Sequence, residues 1–148
     1  MENEGCKVQK EDGDSSSLAH NPIRPLPHRR AHWRFEDLEI WQLSRDLAVK
    51  FHRVADRLQD RRLYRYAEQL RAAGLSLSNN IAEGSGSSHK REFIQYLNIA
   101  RRSLFEDASM LLVFETLGLL ESEEINGLLT DCDALSRKIT NFSRSLCS

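Results

Sequence analysis

From Arg34 to its last residue the sequence contains no proline, because all three prolines lie at positions 22, 25 and 27. A proline inside a helix removes a hydrogen bond and clashes with the preceding turn, so its absence leaves a long stretch free to be helical. Apolar residues there recur at steps of three and four residues, the spacing of one helix face. No useful length alternates with the period of two that a strand requires. These patterns predict an all-α fold.

Four amphipathic segments follow one another with short connections between them. Short connections favour antiparallel neighbours, so we predict an antiparallel up-down four-helix bundle over residues 34–148. A chain of 148 residues is long enough for one domain with a real core. The first helix is predicted over about residues 36–59, with apolar positions at Ile40, Leu47, Phe51, Val54 and Leu58.

Glycine and serine residues mark the predicted ends of the other helices. Gly84 follows the last apolar position of the second segment and is typical of the residue just after a helix. Ser88 and Ser122 are the predicted N-caps of the third and fourth helices, because a hydroxyl can accept a hydrogen bond from a free backbone amide. Gly118 is predicted to end the third helix, which would span about residues 88–117.

The third segment carries two neighbouring apolar rows. The first row is Phe93, Leu97, Ala100, Leu104, Ala108 and Leu111. The second row is Tyr96, Ile99, Ser103, Glu106, Met110, Val113 and Leu117. Two rows predict burial on more than one side. A buried carboxylate at Glu106 is costly unless it is paired, so we expect either a cation such as Arg71 beside it or a polar interface at that face.

Residues 1–33 differ from the rest, since they combine the prolines with a serine run and few apolar residues. Such a segment buries too little apolar surface to offset its ordering entropy, and we predict a disordered arm. Near its end, Arg29 and Arg30 stand beside histidines and Trp33. That mixture suits contact with phosphates and stacking on bases, but the signal is weak, because most basic linkers are simply solvated.

Three further basic clusters are candidates for nucleic-acid contact. In a single subunit they would be solvated faces, whereas repetition around a ring would concentrate them into a basic surface. The clusters are Arg61, Arg62 and Arg65; Lys90 and Arg91; and Arg101 and Arg102.

Overall charge and composition exclude several classes of protein. A formal net charge of -1 does not favour a strongly cationic nucleic-acid binder. No apolar run approaches the roughly 18 residues of a membrane span, and no secretory signal is recognisable, so we expect a cytoplasmic protein without membrane association. Three scattered cysteines suggest neither a disulfide framework nor a zinc site.

No catalytic constellation can be recognised in the sequence. There is no Glu-x-x-His pair for a carboxylate-bridged metal site, and the stretch Gly84-Ser85-Gly86 resembles a phosphate-binding loop in composition only. Cys132 lies on an apolar row, where a thiol behaves as a small hydrophobe. We therefore expect no enzymatic activity, no cofactor and no metal. An enzyme or metal carrier that uses Glu83 and Glu106 is the weakest hypothesis.

Residues 35–41, 76–84 and 93–106 resemble the four-helix-bundle family of the 23S rRNA intervening-sequence protein. The most specific part is Asn80-Ile81-Ala82-Glu83-Gly84 taken together with the run that begins at Phe93. This resemblance implies a bundle that assembles into a homopentameric ring and has no established enzymatic activity. Similar proteins include the accessory protein of diversity-generating retroelements, which works with a reverse transcriptase and RNA. By resemblance, the matching polar positions are Arg71, Asn80, Glu83, Ser103 and Glu106.

We therefore expect a non-enzymatic, homo-oligomeric scaffold that is associated with a nucleic-acid complex. The alternative is an RNA- or DNA-binding accessory subunit of a reverse transcriptase. The sequence departs from the family at Ser78 and before the second helix, where Arg61 and Arg62 stand in place of a usual proline-containing segment. Arg102 also replaces a small residue of the third helix.

Overall fold

The computed structural model describes residues 31–148, and over that part the chain forms four long α-helices and no strand. Each helix packs against the next and α4 returns to α1, so the predicted antiparallel up-down bundle is confirmed. Most of the predicted disordered arm, including Arg29 and Arg30, lies outside the described residues. The helices are α1 (Glu39–Asp60), α2 (Tyr64–Ser85), α3 (Lys90–Thr116) and α4 (Ser122–Cys147), preceded by one 3-10 turn at Arg34–Asp37.

One apolar stripe from each helix meets in a single core. Phe51 of α1, Leu77 of α2 and Leu104 of α3 are at most 1% exposed, and Leu135 of α4 is 2% exposed. Burying a side chain of this size contributes about 1.5–3 kcal/mol, so these stripes supply most of the drive to fold. All five apolar positions predicted for the first helix are buried.

Three ion pairs join side chains of α1 to side chains of α4 where the two helices pack together. Lys50 contacts Asp131 at 2.6 Å, Lys138 contacts Glu39 at 2.8 Å, and a further pair joins α1 to α4 near the other end of the seam. Exposed pairs of this kind each contribute about 0–1 kcal/mol, so they set the register of the two helices more than they stabilise the fold.

The turns after α1 and after α3 have the same hydrogen-bond pattern. The Arg62 N–H donates to the Gln59 carbonyl at 2.8 Å, and the next amide reaches back one residue further along α1. Gly118 repeats this arrangement after α3, donating to Glu115 at 2.9 Å. Both residues are left-handed, with φ of 62° at Arg62 and 68° at Gly118. Gly118 therefore ends the third helix as predicted, whereas the first helix ends on a strained arginine.

The predicted end of the second helix is wrong. Gly84 lies inside α2, which continues to Ser85. A Cβ atom on Gly84 would lie 2.6 Å from the Cβ atom of Tyr96 and 2.8 Å from Cδ2 of Phe93. Glycine is therefore required here by the close approach of α3 and not by a turn.

The two predicted serine N-caps are also wrong. His89 and Glu121 occupy the N-cap positions, and neither has a side-chain capping bond. Ser122 is instead the first residue of α4. Before α3, the hydroxyl of Ser87, one residue before the predicted Ser88, accepts the His89 amide at 3.1 Å. The first helix also begins later than predicted, at residue 39, because residues 34–37 form their own 3-10 turn.

Candidate functional site

Helix α3 carries far more apolar surface than the bundle core uses. Its first row packs inward, but large apolar side chains remain uncovered elsewhere on the helix. The second row is therefore not buried within the single subunit: Tyr96, Ser103 and Met110 are half-buried and the rest of the row is exposed. The uncovered apolar side chains of α3 are Ile99 (45% exposed), Phe105 (61%), Leu112 (48%), Val113 (49%) and Leu117 (53%).

A groove with a volume of about 770 Å³ runs between α2 and α3. On the α2 side, the groove is lined in part by the small side chains of Ala72 and Ala73, which leave space above the helix. The ring of Tyr66 lies edge-on to that of Phe114 at 5.4 Å and forms its far end. We call this feature the α2–α3 groove. Its other lining side chains are Gln69, Ser76, Ser103, Phe105, Glu106, Asp107, Ser109, Met110 and Val113.

The buried carboxylate of α3 is Asp107 and not Glu106 as predicted. Asp107 is 2% exposed and occupies the core position predicted for Ala108, which is half-buried, whereas Glu106 is exposed. From Ala100, steps of four, three and four residues lead to positions 104, 107 and 111. The predicted row instead took two steps of four to Ala108, because Ala108 is apolar. The prediction therefore followed the hydrophobic residue instead of the helix geometry.

Asp107 Oδ2 has no hydrogen-bond partner within the described part of the chain. Burial raises the pKa of Asp107 to about 7, and the neighbouring negative charge of Glu106 adds to the shift. Burying an acceptor without a partner costs free energy. Such a carboxyl group is therefore either protonated, and so uncharged, or hydrogen-bonded to a ligand. Asp107 lines the α2–α3 groove, and this oxygen is itself buried beneath the groove surface.

Arg71 does not pair with Glu106. Its guanidinium donates to Asp56 at 2.6 Å and to the side chain of Gln59 at 2.9 Å, so it ties α2 to α1. The predicted contact between Arg71 and Glu106 is wrong, because Arg71 lies on the side of α2 that faces away from the groove.

The remaining family-motif positions make one hydrogen bond between helices and two within a helix. The Asn80 amide donates to the backbone carbonyl of Ser76 at 2.8 Å, within α2. Glu83 accepts from the Tyr96 hydroxyl at 2.9 Å, joining α2 to α3, and this bond raises the pKa of Tyr96. The Ser103 hydroxyl donates to the Ile99 carbonyl at 3.2 Å. These groups do not converge on a common point.

The structure places the predicted basic residues in three separate regions. Arg61, Arg62 and Arg65 lie together at the turn between α1 and α2, and Arg61 donates to the Leu119 carbonyl at 2.7 Å. Lys90 and Arg91 start α3, at the other end of the 22-residue α2, which spans about 33 Å.

The third basic pair lies midway along α3. Arg101 places its guanidinium over the ring of Phe105 at 5.4 Å, and its Nε has no hydrogen-bond partner among the described residues. Arg102 is exposed. No single continuous basic patch therefore forms from the described basic residues of one subunit.

Among residues 31–148, no group of three or more histidine, cysteine or acidic side chains is arranged to hold a metal ion. Burial raises the pKa of Cys132 to about 12, so that thiol stays protonated at neutral pH. The helices described here lack the combination of length and apolar character that a membrane span needs.

The fold and the uncovered α3 surface define an antiparallel four-helix bundle with exposed apolar side chains along its third helix. The family model for the 23S rRNA-intervening sequence protein matches residues 36–141. The chain belongs to that family. The match begins in the 3-10 turn and extends through most of α4, so it covers the α2–α3 groove and the whole of α3. No curated protein matches the chain.

Proposed function

We propose that this protein is a non-enzymatic, homo-oligomeric scaffold, with five copies in a ring as the family resemblance implies, and that it is associated with a nucleic-acid complex. The observation that carries the proposal is the uncovered apolar surface of α3. Contiguous exposed apolar patches of this kind are typical of protein–protein interfaces.

The exposed apolar residues form two strips on α3. At 100° per residue, Ile99 and Leu117 lie on one line of the helix, whereas Phe105 and Leu112 lie about 120° away. Two different strips allow one copy to place its first strip against the second strip of the next copy. Such head-to-tail contacts close into rings when the rotation allows, whereas a two-fold dimer needs one self-complementary patch.

The mass of the full chain in solution tests the assembly. We expect an oligomer at micromolar concentration by sedimentation velocity or light scattering. Replacing one residue of each strip, with Leu112→Lys and Leu117→Lys, should give a monomer because each buried lysine would be left unpaired. The matched control is Asn126→Lys with Asn141→Lys, which adds the same charge to exposed polar positions of α4, away from both strips. A wild-type monomer would remove the ring from the proposal.

The arginine cluster at the turn between α1 and α2 supports the nucleic-acid part of the proposal. Its three guanidinium groups are exposed, and five copies would repeat them around one rim. Filter binding to a structured RNA at two salt concentrations is the test. For each phosphate contact that is lost, the slope of log affinity against log salt should fall by about 0.9 on a duplex of the B-form type and by about 0.7 on a single strand.

Reversal of Arg61, Arg62 and Arg65 to glutamate should weaken RNA binding and reduce its salt dependence. The matched control reverses three exposed basic residues outside the clusters. If wild-type protein does not bind RNA at low salt, only the scaffold remains. The control residues are Arg53, Arg137 and Arg144.

A second candidate is an accessory subunit of a reverse transcriptase. The separation of the basic clusters to opposite ends of α2 favours it, since one rim of a ring could hold RNA while the other meets a protein. Co-purification of a reverse transcriptase with the tagged full chain, lost in the Lys90→Glu, Arg91→Glu variant and kept in the Arg53→Glu variant, would support this role over the simple scaffold.

A further inference from the structure

We propose that the α2–α3 groove is the docking site for residues 22–30 of this chain's own N-terminal arm. The segment immediately precedes the described residues, and the docking is within one subunit. The inference goes beyond the proposed scaffold and does not rest on it, although Phe105 is assigned both to this groove and to the second strip of α3.

The groove has the chemistry of a site for a proline- and arginine-containing strand. The rings of Tyr66 and Phe105 are 39% and 61% exposed at its edges, and Glu106 adds an exposed negative charge. At its floor, the 2% exposed Asp107 offers an oxygen that no described residue uses. Aromatic-lined grooves recognise proline-rich segments, because the preformed extended helix of such segments costs little entropy to bind.

The segment has the complementary chemistry. Residues 22–30 read Pro-Ile-Arg-Pro-Leu-Pro-His-Arg-Arg, with three arginines and no carboxylate. The prolines fix φ near the value of a polyproline II helix, which has three residues per turn. Ile23 and Leu26 would then share one edge, which suits the apolar part of the groove. A guanidinium is a planar fork of donors that matches a carboxylate.

The length of the segment matches the path. The 3-10 turn leads into α1 and packs on α2, and since α1 and α2 are antiparallel it lies at the Ser85 end of α2. From Ser85 to Tyr66 along α2 is about 29 Å at 1.5 Å per residue. Nine residues of polyproline II span about 28 Å. The extended segment is therefore about as long as the part of α2 between Ser85 and Tyr66.

The same comparison of helix rise with segment length places Arg24 near the acidic part of the groove. Gly84 meets Tyr96, and Tyr66 meets Phe114, so Asp107 lies level with position 73 of α2. That level is about 18 Å from Ser85 along the helix, a distance that about six residues of polyproline II cover. Counting back from Ala31 gives position 25, next to Arg24. With Ala31 level with Ser85, the exposed Glu106, next to the buried Asp107, is therefore the expected partner of the Arg24 guanidinium.

Limited proteolysis of the full chain tests this docking. Trypsin cleaves after Arg29 and after Lys7 but not at the Arg24–Pro25 bond, so the arm carries its own reference site outside the docked segment. In wild-type protein we expect the Arg29–Arg30 bond to be cleaved more slowly than the Lys7–Val8 bond. Equal rates at the two bonds would overturn the proposal.

Charge reversal identifies the partners. Arg24→Glu and Glu106→Arg should each raise the rate at Arg29–Arg30, relative to Lys7–Val8, by about two- to fivefold, the range expected for one partly exposed ion pair. The double variant restores the pair in reverse and should return the rate to that of wild type. Restoration separates docking from loss of folding, and its failure would reject the assigned contact. Matched controls are Lys10→Glu in the arm and Glu123→Arg at the start of α4, neither of which should change the rate.

The same digestion distinguishes the arm of the same subunit from a second copy. In the Leu112→Lys, Leu117→Lys variant, both substituted positions lie outside the lining of the groove. Protection of Arg29–Arg30 should persist in this variant, whatever its mass. Protection that disappears in it, or that rises with protein concentration, would show that another copy covers the groove and would overturn the proposal.

Discussion

Helices α1 and α3 are both amphipathic by sequence, yet they use their apolar residues differently. All of the large apolar side chains of α1 are buried or half-buried. On α3, one row is buried while Ile99, Leu112 and other side chains remain exposed. The difference shows that apolar content alone does not define a core position. The apolar residues of α1 stabilise one subunit, whereas those of α3 are divided between the core and an uncovered surface.

The largest expected effect compares the two faces of α3. Leu104→Ala should lower the free energy of unfolding by about 2–5 kcal/mol, because it removes buried atoms and leaves a cavity. Ile99→Ala should change it by less than about 0.5 kcal/mol when measured in the Leu112→Lys, Leu117→Lys background. Chemical denaturation midpoints give both values. Similar losses at the two positions would contradict the division of α3 into a buried and an uncovered face.

Asp107 makes the buried face of α3 sensitive to pH. Its pKa is about 7 in the folded chain against 3.8 for the free side chain. As the pH rises from 4 to 7, the carboxyl ionises in the unfolded chain before it does in the folded chain. Its contribution to the free energy of unfolding therefore falls, by roughly 4 kcal/mol for a shift of this size.

Asp107→Asn removes this dependence. The free energy of unfolding of the variant, minus that of wild type, should increase between pH 4 and pH 7 and then level off, measured by urea denaturation across the range. A difference that is constant with pH would show that Asp107 does not titrate in this window. A guanidinium bound at the neighbouring Glu106 would favour the ionised form of Asp107 and lower its pKa, so Arg24→Glu should widen the window if the arm occupies the groove.

The glycine contacts of α2 compare its packing on α1 and on α3. A Cβ atom at Gly74 would lie 2.9 Å from the backbone Cα of Ala48, and one at Gly84 would meet the side chains of Tyr96 and Phe93. Overpacking costs about 1–3 kcal/mol, so each alanine variant should lower the melting temperature. Gly84→Ala should cost more, because its closest contact is shorter, 2.6 Å to the Cβ atom of Tyr96, and a Cβ atom moves only with its backbone. The reverse order would indicate that α1 is the more rigid neighbour.

The smallest expected effect compares the ends of the two helices. Arg62→Gly should raise the free energy of unfolding by about 0.5–1 kcal/mol, since glycine adopts positive φ without the penalty of a side chain. Gly118→Ala should lower it by about the same amount. Nothing lies within 4 Å of a Cβ atom at Gly118, so the expected loss is conformational and not steric. Thermal unfolding of both variants measures the two changes in the free energy of unfolding. If both variants were stabilised or both destabilised, the shared turn geometry would be contradicted.

The sequence predicted the helices well and the partners of their polar side chains poorly. The apolar rows placed Phe51, Leu104 and Leu111 in the core, because a helix repeats every 3.6 residues whatever it packs against. Glycine was harder to interpret. Gly118 ends a helix and Gly84 does not, and the sequence signal is the same for a turn and for a close helix approach.

The candidate site was predicted only in outline. The second row of α3 was recognised as unusual, but Glu106 was assigned the burial that belongs to Asp107. The two residues differ by 100° around the helix, and the position of α2 decides which of them faces inward. The partner of Arg71 likewise lies on α1, and residue spacing within α2 cannot identify a partner on another helix.

The sequence by itself therefore determined the number of helices, their inward stripes and the excess of apolar residues on α3, because these follow from local periodicity. Only the tertiary structure decided where that excess lies uncovered, which carboxylate is buried without a partner among residues 31–148, and that both features border one groove. Those properties depend on the distance and rotation between neighbouring helices, which side-chain packing fixes after the helices have formed.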